Sequence, residues 1–214
     1  MTDSGSCSIP GGQYPSDCEI TEGLRQRAMS RQGQEERGYA WRACLPKAKE
    51  IQLLLLDVDG VLTDGTIVYG NGETELKGFN IKDGFGITLL REAGVEVGII
   101  TARRSEAVAR RAQDLKLAHV YQGVRNKIEA FSEILAAQNL TPQQIAYMGD
   151  DWLDLPLLSR VGLAATVADA AVEVREIAHY VTRQAGGRGA VREVCELIIE
   201  AKGMRAELFA RYLR

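Results

Sequence analysis

At 214 residues the chain has the size of one domain, or one domain with an appendage, and two large domains are excluded. Lys and Arg number 26 against 29 Asp and Glu, a net charge of -3 without the basic excess of a nucleic-acid or anionic-membrane binder, so a small-molecule partner is expected. Apolar residues at 45% and charged residues at 26% are globular proportions and exclude wholesale disorder.

Residues 1–38 carry six glycines among Ser, Gln, Glu and Arg with no sustained apolar period, and are expected to form a disordered tail. The N-terminus has neither a basic n-region nor an apolar h-region, and no window approaches the roughly 18 apolar residues of a membrane span, so a cytoplasmic location is expected. Cys7, Cys18, Cys44 and Cys195 show no CxxC spacing and are read as free thiols. Trp41 and Leu45 can anchor a short helix leading into the first strand.

From Ile51 short apolar runs ending in polar residues alternate with helical patterns. Strands are expected at Ile51–Asp57, Val95–Thr101, His119–Tyr121, Ile145–Asp150 and Gly162–Val167, and helices near 83–93, 105–116, 126–138, 152–159, 170–177 and 189–202. Asp83 and Ser105 offer side-chain oxygens as caps for the first two helices. Runs apolar on both faces belong to a covered parallel sheet, so the fold class is α/β, doubly wound. After the first strand two alternating stretches between Thr66 and Phe79 meet at Asn71-Gly72, which predicts a protruding β-hairpin. The domain then spans 39–203, and 204–214 is a C-terminal tail that can serve as a lid.

The chemistry-bearing residues fall at strand ends. Asp57 and Asp59 are i and i+2 of an extended chain and point the same way, and two adjacent carboxylates need a cation or a shared proton. A calcium loop is the bland alternative, but Val61 and Val68 occupy ligand positions of such a loop, and the motif follows a strand. Thr101 closes the second strand, where its hydroxyl and neighbouring amides can hold a phosphoryl oxygen. Lys127 opens a helix whose N-terminus favours anions, although a lone Lys is usually solvated surface. Asp150, Asp151 and Asp154 cluster after the fourth strand and suit a hard, oxygen-ligated ion.

In combination, Asp57-x-Asp59, Thr101, Lys127 and Gly149-Asp150-Asp151-x-x-Asp154 resemble the four-motif pattern of the haloacid dehalogenase superfamily of phosphatases. The hairpin, the run from Phe79 to Gly84 and the run from Ala185 to Glu193 are similar to the 3-deoxy-D-manno-octulosonate 8-phosphate phosphatase family. Ala102 departs from the glycine that many members carry after the motif threonine. The resemblance covers residues 50–203 and implies a Mg2+-dependent phosphatase in Kdo and lipopolysaccharide biosynthesis that works through an aspartyl-phosphate. Asp57 would be the nucleophile and Asp59 the acid–base, with Thr101 and Lys127 on the phosphoryl oxygens. The metal would be held by Asp57, the Asp59 carbonyl and Asp150, with Asp151 or Asp154 ordering its shell.

The gaps between motifs leave no room for a cap domain, so a second copy of the chain is expected to complete the site, and the resemblance implies a homotetramer with shared sites. Asn80, Lys82, Asp83 and Arg103 are expected at the sugar, and Arg188 at the carboxylate of a substrate in a neighbour's site. A related nine-carbon keto-acid 9-phosphate is the rival substrate. A non-catalytic assembly module is the rival class.

Overall fold

The computed structural model describes residues 16, 18–20, 22–24, 26, 38–71 and 74–213. It divides into two compact units, residues 37–209 and a second made of 1–36 with 210–214. Within the second, residues 18–20, 22–24 and 26 are helical. Glu19 Oε2 accepts the Ser16 N–H at 2.8 Å and Ser16 Oγ accepts the Glu19 N–H at 3.3 Å, a reciprocal cap that starts this helical stretch. The described part of the expected tail therefore has structure, and the Ser-x-x-Glu signal that marks it stood in the sequence unread. The rest of that tail, with Cys7, lies outside the described residues.

The larger unit begins with α1 (Tyr39–Lys49), whose buried Trp41, Cys44 and Ala48 lie on one side of the helix. Trp41 packs edge-on against Tyr180 and donates its indole N–H to Glu200 at 3.1 Å. Next comes β1 (Leu53–Leu56), four leucines with no more than 1% of their surface exposed. A strand apolar on both faces can lie only at the centre of a covered sheet.

The hairpin strands β2 (Val68–Tyr69) and β3 (Glu75–Leu76) pair antiparallel, and the chain continues into α2 (Ile81–Glu92) and β4 (Glu96–Thr101). There follow α3 (Glu106–Asp114), β5 (His119–Gln122), α4 (Lys127–Gln138), β6 (Ile145–Met148), α5 (Leu155–Leu158) and β7 (Leu163–Thr166). The chain ends with α6 (Val172–Ile177), β8 (Tyr180–Val181), α7 (Ala190–Ala201) and α8 (Arg205–Arg211). No helix among the described residues is long and apolar enough to cross a membrane.

Six parallel strands form one sheet in the order β5-β4-β1-β6-β7-β8. The chain therefore winds outward from β1 in one direction and then crosses back past it in the other. With right-handed crossovers this sends α2 and α3 to one face and α4, α5 and α6 to the opposite face, with α7 packed on α2. The doubly wound class and the lack of a cap domain stand as expected.

Three details differ. The edge strand β8 is two residues long, too short to carry a period. The hairpin pairs Val68 with Leu76 and Tyr69 with Glu75, the Gly70 N–H extends the pairing to the Thr74 carbonyl beyond the two-residue strands, and the turn at Gly72 lies outside the described residues. The cap of α2 is Asn80, which accepts the Lys82 N–H at 2.8 Å, while Asp83 caps a different helix. Ser105 precedes α3 as expected, without a side-chain cap bond.

Candidate active site

The winding reverses between β1 and β6, and ligands of open α/β sheets sit at such a reversal beyond the carboxyl ends of the strands. Asp57 follows β1 and Asp150 follows β6, its immediate neighbour. The Asp57 N–H donates to the Met148 carbonyl at 2.9 Å, which extends the β1–β6 pairing to the carboxylate itself.

Beyond Asp57 the chain turns tightly. The Val58 carbonyl accepts the N–H groups of Val61, Leu62 and Thr63, and the buried Thr63 hydroxyl donates to it at 3.3 Å. Thr63 Oγ1 also accepts from the Gly60 and Gly65 amides, so one hydroxyl ties the turn together, a role that nothing in its spacing announced. Gly60 has φ +88°, and a Cβ there would collide with the Asp150 carboxylate, so only glycine lets the two loops meet.

Lys127 is the first residue of α4, and Asn126 caps that helix by accepting the Ile128 N–H at 3.1 Å. Its buried Nζ lies 3.0 Å from Asp57 Oδ1 and 2.6 Å from Asp154 Oδ1, and it donates to the Tyr147 hydroxyl at 3.1 Å. The Tyr147 hydroxyl in turn donates to Asp154 Oδ1 at 2.6 Å. Asp154 Oδ2 accepts the Asp150 and Asp151 amides at 3.0 and 3.3 Å. Both oxygens of Asp154 are thus engaged, one of them on the Lys127 ammonium that also meets Asp57. Tyr147→Phe removes one of the three Lys127 partners and is expected to cost about 1–2 kcal/mol of stability, measurable by urea unfolding.

One oxygen each from Asp57, Asp150 and Asp154 lie within 4.8 Å of one another. Of the expected metal set of Asp57, Asp59, Asp150 and Asp151, the carboxylates of Asp57 and Asp150 fall in this cluster, together with Asp154, and that of Asp151 does not. The reason is the 3-10 turn Trp152–Asp154: Asp151 caps it, accepting the Trp152 N–H at 2.7 Å, and its side chain is exposed. The Asp59 carboxylate contacts Lys77 and lies 3.8 Å from Arg103, and it is not part of the cluster.

Electrostatics single out the same residues. Burial pushes the Asp57 carboxyl up to about 6 despite the opposing Lys127 ammonium, with Asp154 adding to the rise. Asp150 goes up to about 7, through burial first and then the negative charges of Asp57 and Asp154. Burial alone would depress Lys127, but Asp57 and Asp154 outweigh it and hold the ammonium above its ordinary value. One ammonium serves three carboxylates here, and a hard divalent cation with oxygen ligands fits that donor set.

Thr101 ends β4 and is buried, and its Oγ1 accepts the Arg103 N–H at 3.4 Å, which leaves its own proton to offer to a bound oxygen. Arg103 Nη2 is 2.9 Å from Glu75 Oε2 on the hairpin. Lys82 is exposed at the start of α2. Asn80 has its carbonyl on the Lys82 amide and its side-chain amide on the Gly187 carbonyl at 3.2 Å. Asp83 is a correction: it is 1% exposed, and its two oxygens accept the Gly189 and Arg192 amides at 3.2 and 2.7 Å, capping α7 and closing it to any solute.

Arg188 is largely exposed and pairs with Asp64 at 3.2 Å. Its loop is seated against the turn after Asp57 in the same chain, with the Gly187 N–H on the Val61 carbonyl at 2.9 Å and no room for a Cβ at Gly186 beside the Gly60 carbonyl. The loop that carries Arg188 thus packs on the turn after Asp57 of its own chain, and the guanidinium itself faces solvent beside Asp64. Lys77, Glu75, Tyr147 and Thr63 are the functional neighbours that sequence reasoning missed.

The haloacid dehalogenase-like hydrolase profile matches residues 115–194. The 3-deoxy-D-manno-octulosonate 8-phosphate phosphatase of Escherichia coli (strain K12) is 50% identical over 159 residues, covering 74% of this chain and 85% of that protein. A crystal structure of the Yersinia pestis phosphatase of the same name is 48% identical with a TM-score of 0.75, over 76% of this chain and 88% of that one. The Moraxella catarrhalis phosphatase, crystallised with magnesium ion, phosphate ion and KDO, is 38% identical with a TM-score of 0.77, over 78% and 97%. With that coverage and a site of Asp57, Lys127 and Asp150 at the sheet's reversal, the chain belongs to the 3-deoxy-D-manno-octulosonate 8-phosphate phosphatase family of haloacid dehalogenase-like hydrolases.

Proposed function

We propose that the chain hydrolyses 3-deoxy-D-manno-octulosonate 8-phosphate to the free keto-sugar acid and inorganic phosphate, with Asp57 as nucleophile and Mg2+ as cofactor. The observation that carries this reading is the buried Asp57–Lys127 pair beside Asp150, in a chain half identical to phosphatases of that name. Asp57, Asp150 and the Asp59 carbonyl would hold the Mg2+, which when bound offsets the charge of a phosphate dianion among carboxylates.

Asp57 attacks phosphorus, the bond from phosphorus to the sugar oxygen breaks, and Asp59 gives its proton to that oxygen. Asp59, now ionised, takes a proton from water, whose oxygen displaces Asp57 and releases phosphate. Lys127 and Thr101 stabilise the phosphoryl oxygens, and Asp154 and Tyr147 keep Lys127 in place. Phosphate release from this ester and from the nine-carbon keto-acid 9-phosphate, measured side by side on the purified chain, tests the reading. A preference for the second ester or no release from either overturns it.

Cytoplasmic placement and a homotetramer with shared sites belong to the proposal as well. Val68, Tyr69 and Leu76 are apolar and largely exposed on the hairpin, which supports burial against further copies. Arg188→Ala is expected to raise KM about tenfold for the carboxylate-bearing substrate through loss of a charge-assisted contact. Mixing Arg188→Ala with Asp57→Asn subunits decides between the two placements of Arg188. Restoration of about a quarter of the sites shows service across subunits in a closed ring, and no restoration shows service within one.

A further inference from the structure

Lys77 follows β3, its side chain is entirely buried, and none of the steps above employs it. Its ammonium contacts Asp59 Oδ1 and lies 3.6 Å from Glu75 Oε1. Arg103 Nε is 3.8 Å from Asp59 Oδ2, and Arg103 Nη2 is 2.9 Å from Glu75 Oε2. The four side chains close a ring of alternating charge, Lys77, Asp59, Arg103, Glu75, that joins the turn after β1, the hairpin and the segment after β4. Glu75 and Lys77 are i and i+2 on an extended arm and so face the site together.

A buried ammonium is expensive, and an apolar side chain of similar length would pack there at lower cost in stability. What the charge adds is direction. Asp59 sits on a short tether, and with its Oδ1 on Lys77 it has one preferred orientation.

We propose that Lys77 is a positioning residue for Asp59, fixing the direction of its side chain so that, in the protonated form that acts as the acid, its proton reaches the departing sugar oxygen. The proposal rests on the reading of Asp59 as the acid. An alkyl oxygen leaving phosphorus needs that proton, whereas a nitrophenolate leaves as the anion without one, so the two kinds of ester separate the role of Lys77 from general damage.

The experiment compares the full chain with its Lys77→Met and Lys77→Arg variants, saturated with Mg2+, on 3-deoxy-D-manno-octulosonate 8-phosphate and on p-nitrophenyl phosphate. The Met variant should lose about a hundredfold in kcat on the sugar ester with little change in KM, and less than about fivefold on the aryl ester. The Arg variant should recover most of the sugar-ester rate. Equal losses on both esters, a change confined to KM, or no loss at all would overturn the proposal. Should the Met variant not fold, Lys77→Gln is read by the same criteria. Hydrolysis of neither ester by the unaltered chain overturns the phosphatase reading itself, while hydrolysis of both with equal losses in the variants overturns the role of Lys77 alone.

Discussion

Asp57→Asn is expected to lower phosphate release by at least about 10⁴-fold with the fold retained, because the amide keeps the shape of the side chain but is not a competent nucleophile. The structure explains why the fold should survive. Lys127 still has Asp154 and Tyr147 as partners, so no uncompensated buried charge is created. The Asp57 amide N–H still pairs with the Met148 carbonyl. Circular dichroism and a thermal melt on the variant establish the fold, and a phosphate assay establishes the loss. Near-normal turnover would remove Asp57 from the nucleophile's place.

The second large effect concerns metal and pH together. Asp57 and Asp150 rise from an ordinary 3.8 to about 6 and about 7, so over that window the folded chain binds more protons than the unfolded one. Stability contributed by these groups is therefore present at low pH and lost as pH climbs through about 4 to 7 in metal-free protein. Mg2+ would take the protons' place, so Mg2+ at about a hundred times its Kd should raise the melting temperature by several degrees at pH 8 and hardly at all at pH 5.

Asp150→Asn should make metal-free protein more stable at pH 8, on the order of 2 kcal/mol after allowing for the partial exposure of the group, while abolishing the response to Mg2+. Calorimetry at the two pH values measures both. A melting temperature of the metal-free chain that climbs steadily from pH 5 to pH 8 would contradict the carboxylate crowding.

What the sequence made legible was whatever local pattern carries. The four leucines of β1, the alternation of strand and helix, and acids at strand ends all lie within short windows, and they led directly to Asp57, Lys127 and Asp150. What stayed hidden depends on contacts between distant segments. Asp83 lies in the first turn of one helix and caps another more than a hundred positions away, a pairing that no capping rule applied to neighbours can reach. Whether Asp151 or Asp154 faces inward is decided by a single 3-10 turn, which leaves the first carboxylate at its exposed start and buries the second at its end. Lys77 reads as solvated surface until the hairpin folds over Asp59 and buries it. Tyr147 reads as one apolar residue in a strand, and its hydroxyl acquires meaning only once α4 brings Lys127 alongside.

The order of the strands also has a kinetic side. Asp57 and Asp150 sit on neighbouring strands, yet the hairpin, α2, β4, α3, β5 and α4 all lie between them along the chain. A growing or truncated chain that stops before β6 carries Asp57 without Asp150 beside it. Docking β6 beside β1 closes the longest loop in the central sheet, a step whose entropy must be met before any of its contacts form. On loop-closure entropy the pairing of Asp57 with Asp150 is expected late in folding, with the mutual repulsion of the clustered carboxylates falling on that closing step. In refolding from urea, Mg2+ should leave the early gain of helix signal unaltered and act only on the final phase.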